Sequence, residues 1–174
     1  MDRRLTTASA LLLSLGLAST ARAAGDRAEA QALLQEFLKP GADPGALTKK
    51  LRPQTADYRA VFGPELGKAA EAMYKADWDA GRIVIQPKDG QSELKLSAAS
   101  TEDLQKGSGE AREFPGGYGK LAPKLAAGLT IYRFRFVQPG QSLGLAFDGL
   151  VYINGHFAFF PKPFRILAEP TAEK

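Results

Sequence analysis

The sequence predicts an α+β protein in which short N-terminal helices pack on a curved, mostly antiparallel sheet that closes with a C-terminal hairpin. Three observations predict it. Before residue 81 the apolar residues recur at helical spacing, and prolines interrupt them. After residue 82 they alternate among β-branched and aromatic residues. Asn154-Gly155 then sits between two such runs, and both residues tolerate the positive φ of a type I′ turn. Helices first and strands second place the helices over the sheet, not between its strands.

The elements follow in order. From Asp26 to Leu38, the residues Ala30, Leu33, Leu34, Phe37 and Leu38 form one helical stripe that Lys39-Pro40-Gly41 stops. Asp43 caps a short turn begun by Pro44 and carrying Leu47 and Leu51, and Pro53 ends it. Thr55 caps a helix bearing Tyr58, Val61 and Phe62. Gly63-Pro64 restarts the chain into the longest helix, Glu65 to Ala80. Its stripe is Leu66, Ala70, Met73 or Tyr74, and Trp78, with Gly81 past its end.

The strands begin at Arg82–Gln86, which is expected to pair with Ser92–Ser97 in a hairpin turned by Asp89-Gly90. Residues 98–128 read as irregular, with one helical turn capped by Ser100 or Thr101, a flexible Gly107-Ser108-Gly109, and a glycine-rich stretch holding Phe114 and Tyr118. Leu129–Val137 places Tyr132, Phe134 and Phe136 on one face and Ile131, Arg133 and Arg135 on the other. Ser142–Ile153 is a long strand with a bulge or bend at Asp148-Gly149. His156–Phe160 returns, and Pro161-Lys162-Pro163 ends it.

Residues 1–23 read as a signal peptide. Arg3 and Arg4 precede an apolar run from Leu5 to Ala18, and Ala21-Arg22-Ala23 supplies the small-x-small pattern of a cleavage site after Ala23. The run is shorter than the ~20 residues that span a bilayer. Residues 24–174 are then a single α+β domain, periplasmic or secreted, with no membrane span. Cleavage removes three arginines and one aspartate, and the formal charge falls from +4 to +2. The remaining acids and bases alternate instead of clustering, which argues against a nucleic-acid partner.

The chain has no cysteine and one histidine. That excludes disulfides, thiolate nucleophiles, Cys-ligated metals and any site built on two imidazoles. In the predicted hairpin His156 faces Ile153. Asp148 then lies on the opposite face unless the bulge reverses it, about 17 Å along the strand. A Ser-His-Asp relay is therefore not expected, and His156 reads as an exposed turn residue. Asp77 and Asp79 flank Trp78 at a helical spacing that points them apart. Asp89–Glu93 is too poor in oxygens for a calcium loop, and neither Gly119-Lys120 nor Gly107-x-Gly109 completes a phosphate or dinucleotide fingerprint. No catalytic residue, metal ligand or cofactor is assigned.

What remains is the aromatic content. Tyr132, Phe134, Phe147, Tyr152 and Phe157 of the sheet, with Tyr74 and Trp78 of the long helix on the wall, either fill the core or line a cup for a small apolar ligand. The functional expectation is an exported soluble bacterial protein that is a non-catalytic ligand-binding or accessory module. An envelope protein docking on the sheet edge or on the 107–119 loop is the alternative partner.

The order of broken helices, bent antiparallel sheet and long hairpin resembles the NTF2-like and cystatin-like folds over residues 27–167. Enzymes on that scaffold place an Asp, His or Tyr inside the cone. The resemblance thus implies a lyase, isomerase or hydrolase using Asp148 with Tyr132 or Tyr152. The stretch Phe147-Asp148-Gly149-Leu150-Val151-Tyr152-Ile153-Asn154-Gly155-His156-Phe157, with Phe160–Arg165 after it, also looks like that of small exported bacterial proteins without an assigned activity.

Overall fold

The computed structural model describes residues 24–168, so the predicted signal peptide lies outside the described residues. The first half is helical as the apolar spacing requires. Helix α1 (Arg27–Gln35) starts at Asp26, whose carboxylate accepts from the Ala28 and Glu29 amides. Helix α2 (Pro44–Lys49) starts at Asp43, which accepts from the Ala46 amide. Helix α3 (Thr55–Phe62) is capped one residue earlier than the sequence suggests. Gln54 holds the cap position, and its amide donates to Asp57 at 2.7 Å. Helix α4 (Pro64–Asp79) runs on to Ala80 and Gly81.

The second half is one antiparallel sheet in the order β1 (Glu93–Ser100), β2 (Thr130–Val137), β3 (Ala146–Ile153), β4 (His156–Phe159). Two expectations are corrected. Arg82–Gln86 is not a strand. Ile85 is buried and gives its amide to the Thr48 hydroxyl, so this segment packs against α2 while β1 pairs with β2. Residues 142–145 also stay outside β3. Residues 98–128 are more regular than their glycine content suggests. Ser100 caps α5 (Thr101–Lys106), Gly107 ends it in the left-handed region, and a 3-10 turn leads to α6 (Gly117–Leu121).

The Asn154-Gly155 turn forms with φ of 50° and 85°, and Ile153 faces His156 as expected. The bulge also forms. Tyr132 pairs with Leu150 but Arg133 pairs with Asp148, so Gly149 is the extra residue. Antiparallel partners share a face. The bulge therefore moves Asp148 to the face of Arg133, Val151 and Ile153, away from Tyr132 and Tyr152.

Helices cover both faces of the sheet. Phe37, just beyond α1, meets Phe136 on the ring-rich face. On the other face Val61 and Phe62 of α3 lie against Ile131, Val151 and Phe160. Both sheet edges are partly closed. Phe159 donates its amide to the Leu51 carbonyl at 2.8 Å. On β1 the Arg27 guanidinium donates to the Leu96 carbonyl, Glu110 accepts from the Ala98 amide, and the two side chains pair with each other. They occupy main-chain groups that another strand would otherwise use.

Removing both side chains, Arg27→Ala with Glu110→Ala, is expected to cost about 1 kcal/mol or less, because the pair is half-exposed. It should also make the protein self-associate with concentration more than the parent does. Sedimentation velocity at rising protein concentration checks this. The Ala98 amide holds the Glu110 carboxyl below its ordinary value. Its contribution is thus present above the usual carboxylate range and is lost as pH falls through the lowered value.

Candidate functional site

Three features carry polar chemistry, and they differ in access. The first is a knot at Asp57, whose carboxylate is 1% exposed. It accepts from the Gln54 amide, from Asn154 Nδ2 at 2.7 Å and from His156 Nε2 at 3.0 Å. An ionised carboxylate only accepts, so Nε2–H is the donor in this contact. His156 is thus half-buried and tethered, which corrects its reading as an exposed turn residue. The hairpin carries it over α3, and Asp57 in the first turn of that helix meets it there. Among the described residues no serine or threonine hydroxyl bonds to His156, and the pair ties the β3–β4 turn to α3.

The second feature is a buried acid and phenol. Tyr118 donates to Asp148 Oδ1 at 2.8 Å, with 1% and 4% of the two residues exposed. Burial pushes both the Asp148 carboxyl and the Tyr118 phenol up, and the hydrogen bond and the nearby Arg133 oppose this at Asp148. Asp148 does not meet Tyr132 or Tyr152, the partners the scaffold resemblance implies. Tyr132 gives its hydroxyl to the Gly25 carbonyl at 2.7 Å, and Tyr152 packs on Phe157 and Gly25. The bulge at Gly149 is the physical reason, because it sets Asp148 on the other face.

Asp148→Asn keeps an acceptor for Tyr118 and removes the buried charge. A raised carboxyl contributes stability that is full below the ordinary carboxylate value and lost as pH rises through its raised folded value. The substitution is therefore expected to raise the melting temperature at pH 7 by about 2–4 °C, which is what roughly 1 kcal/mol gives in a chain of this size. The gain should vanish toward pH 3. Calorimetry across that range reads it.

The third feature is open. A groove of about 250 Å³ lies where the end of α4 and the Ile83-Val84 segment meet the sheet and the Pro161–Arg165 corner. Tyr74, Phe147, Phe159, Ile83, Val84 and Pro161 line it with apolar surface. Its charged groups are Asp77, Arg82, Lys162 and Arg165. Arg82 is bound to Asp77, Nε to Oδ1 at 2.7 Å. Tyr74 donates to the Pro161 carbonyl at 2.9 Å, and its phenol is pushed up by burial.

No family model, no curated protein and no solved structure matches this chain. The site therefore rests on its own geometry.

Of the seven aromatic residues predicted for a cup, Tyr74 and Phe147 line the groove. Phe134 stacks on Phe147 with ring centroids 5.3 Å apart, directly behind it. Tyr132, Tyr152 and Phe157 form a separate ring cluster toward Gly25, with centroids 5.1 and 6.2 Å apart. Trp78 is buried in α4. Sequence reasoning missed Arg82, Lys162 and Arg165. The available signal was Pro161-Lys162-Pro163, which reads as a strand stop but also fixes a lysine between two rigid residues. Among the described residues no cluster of three His, Asp or Glu side chains suits a metal ion, and no helix is long and apolar enough to cross a membrane.

Proposed function

We propose that this chain is an exported, non-catalytic binding module that takes a small apolar or aromatic ligand in the Tyr74–Phe147–Phe159 groove. The groove carries the reading, because it is an open concavity where the partly exposed Phe147, Ile83 and Val84 stand beside a few polar groups, with Tyr74 and Phe159 behind them. Its volume lies just below the roughly 300–1,000 Å³ of drug-sized pockets, so a single-ring molecule suits it. The two other polar clusters support the non-catalytic half. One is a tether and the other is enclosed, and neither presents a reactive group to a substrate. Export rests on Arg3-Arg4, the leucine run and Ala21-Arg22-Ala23.

Nitrogen–proton correlation spectra of the protein titrated with single-ring probes of different charge are the test. At least one probe should shift the amides of Ile83, Val84, Phe159, Lys162 and Arg165 together. Shifts scattered over the surface, or none at millimolar probe, would remove the binding reading. N-terminal sequencing of the periplasmic fraction should begin at Ala24.

A further inference from the structure

Two residues other than glycine have φ in the left-handed region among the described residues, Asn154 and Lys162. Asn154 is explained by its turn. Lys162 is not: φ is 50° and ψ 57°, and the residue precedes Pro163, which drives its neighbour toward extended backbone. L side chains meet their own backbone there, and such outliers persist only where the surroundings enforce them. Here they do. The Tyr74 hydroxyl holds the Pro161 carbonyl at 2.9 Å, and Lys162 lies beside the buried Asp148. The result is an exposed lysine fixed at the groove margin.

The charge balance of the groove points the same way. Its single carboxylate, Asp77, is already taken by Arg82. Among the described residues neither Lys162 nor Arg165 has a carboxylate within ion-pair distance. Lys162 lies within electrostatic reach of the buried Asp148, but neither cation is ion-paired among the described residues, and both stand beside Phe147, Ile83 and Val84. We infer that the ligand is a small organic anion, a single-ring or short aliphatic body bearing one carboxylate, with its body on Phe147, Phe159 and Val84 and its charge received by Lys162 and Arg165. A cation at a partly desolvated site favours such an anion over a neutral isostere and repels an amine. The inference rests on the groove reading above and adds the ligand class to it.

The experiment compares phenylacetate, 2-phenylethanol and phenethylamine, which share a ring and differ in charge, by titration calorimetry or spectral shift at low salt. Phenylacetate is expected to bind at least tenfold tighter than 2-phenylethanol, with phenethylamine weakest and the advantage shrinking as salt rises. Lys162→Gly relieves the left-handed strain, so its melting temperature should equal or exceed that of the parent while phenylacetate affinity falls to near that of the alcohol. Arg165→Gln, outside the strained corner, should lower phenylacetate affinity and leave the alcohol unchanged. Equal affinities for the three probes, or a Lys162→Gly protein that binds phenylacetate like the parent, would overturn the assigned ligand class and leave the groove reading standing. Absence of binding by all three would sink both.

Discussion

Gly149→Ala is expected to destabilise the protein by about 3–5 kcal/mol, among the largest effects of any single substitution in the chain. Two independent causes add. Gly149 sits at φ +98°, where an L residue is strained. A Cβ built there also falls 1.9 Å from the Phe160 carbonyl oxygen. The contact cannot relax by moving a side chain, because the obstacle is backbone that the Phe160 amide already binds to the Gly149 carbonyl at 2.9 Å. Nor can the Phe160 backbone yield freely. Its ring is enclosed by Tyr58, Phe62 and Tyr74, with centroid distances of 5.3, 5.3 and 6.5 Å.

The alternative is to expel the extra residue from the bulge. That slips the register and puts either Phe147 or Leu150 on the wrong face. Gly140→Ala is the control. Gly140 also has positive φ, but a Cβ there meets nothing within 4 Å, so it should cost only about 1 kcal/mol. Urea denaturation midpoints of the two variants separate the causes. Equal losses would mean that the close approach to Phe160 contributes nothing.

This bulge also marks how far the sequence could be read. Asp148-Gly149 announces an irregularity, and Asn154-Gly155 fixes the register of β3 against β4, because both rest on local backbone preferences. Helix positions were legible for the same reason, through Asp26, Asp43 and the Gly63-Pro64 restart. Arg82–Gln86 was misread because Arg-Ile-Val-Ile-Gln has strand propensity in isolation. Tertiary context decides otherwise: Thr48 takes the Ile85 amide and β1 finds β2 instead. The groove was half legible. Its rings stand out in composition, whereas Arg82, Lys162 and Arg165 are ordinary surface charges until the fold gathers them. The partner of His156 was not legible at all, because 99 residues separate it from Asp57 and no local rule joins a helix's first turn to a hairpin.

Asp57→Ala is the second large effect, expected at about 3 kcal/mol. The buried carboxylate satisfies three donors, one from the start of its own helix and two from the β3–β4 turn. Truncation leaves the Gln54 amide without its cap partner and leaves the Asn154 amide and the His156 imidazole facing a vacancy. Each loses a charged acceptor, and such hydrogen bonds are individually worth about 1.5–3 kcal/mol, which water recovers in part at the exposed Asn154 and the half-buried His156.

Asp57→Asn should be milder. It preserves volume but presents one acceptor oxygen and an NH₂ that opposes one of the three donors. Because Asp57 and His156 share one bond, a double-mutant cycle of Asp57→Ala with His156→Ala should show coupling of about 1 kcal/mol or more. The same truncation should speed amide exchange at Ile153 and Phe157 well before it affects β1, because it unties the β3–β4 turn and leaves the β1–β2 pairing alone. If exchange rises uniformly through the sheet, the knot stabilises the fold globally and does not act as a local tether. An additive double mutant would show that His156 and Asp57 do not act together.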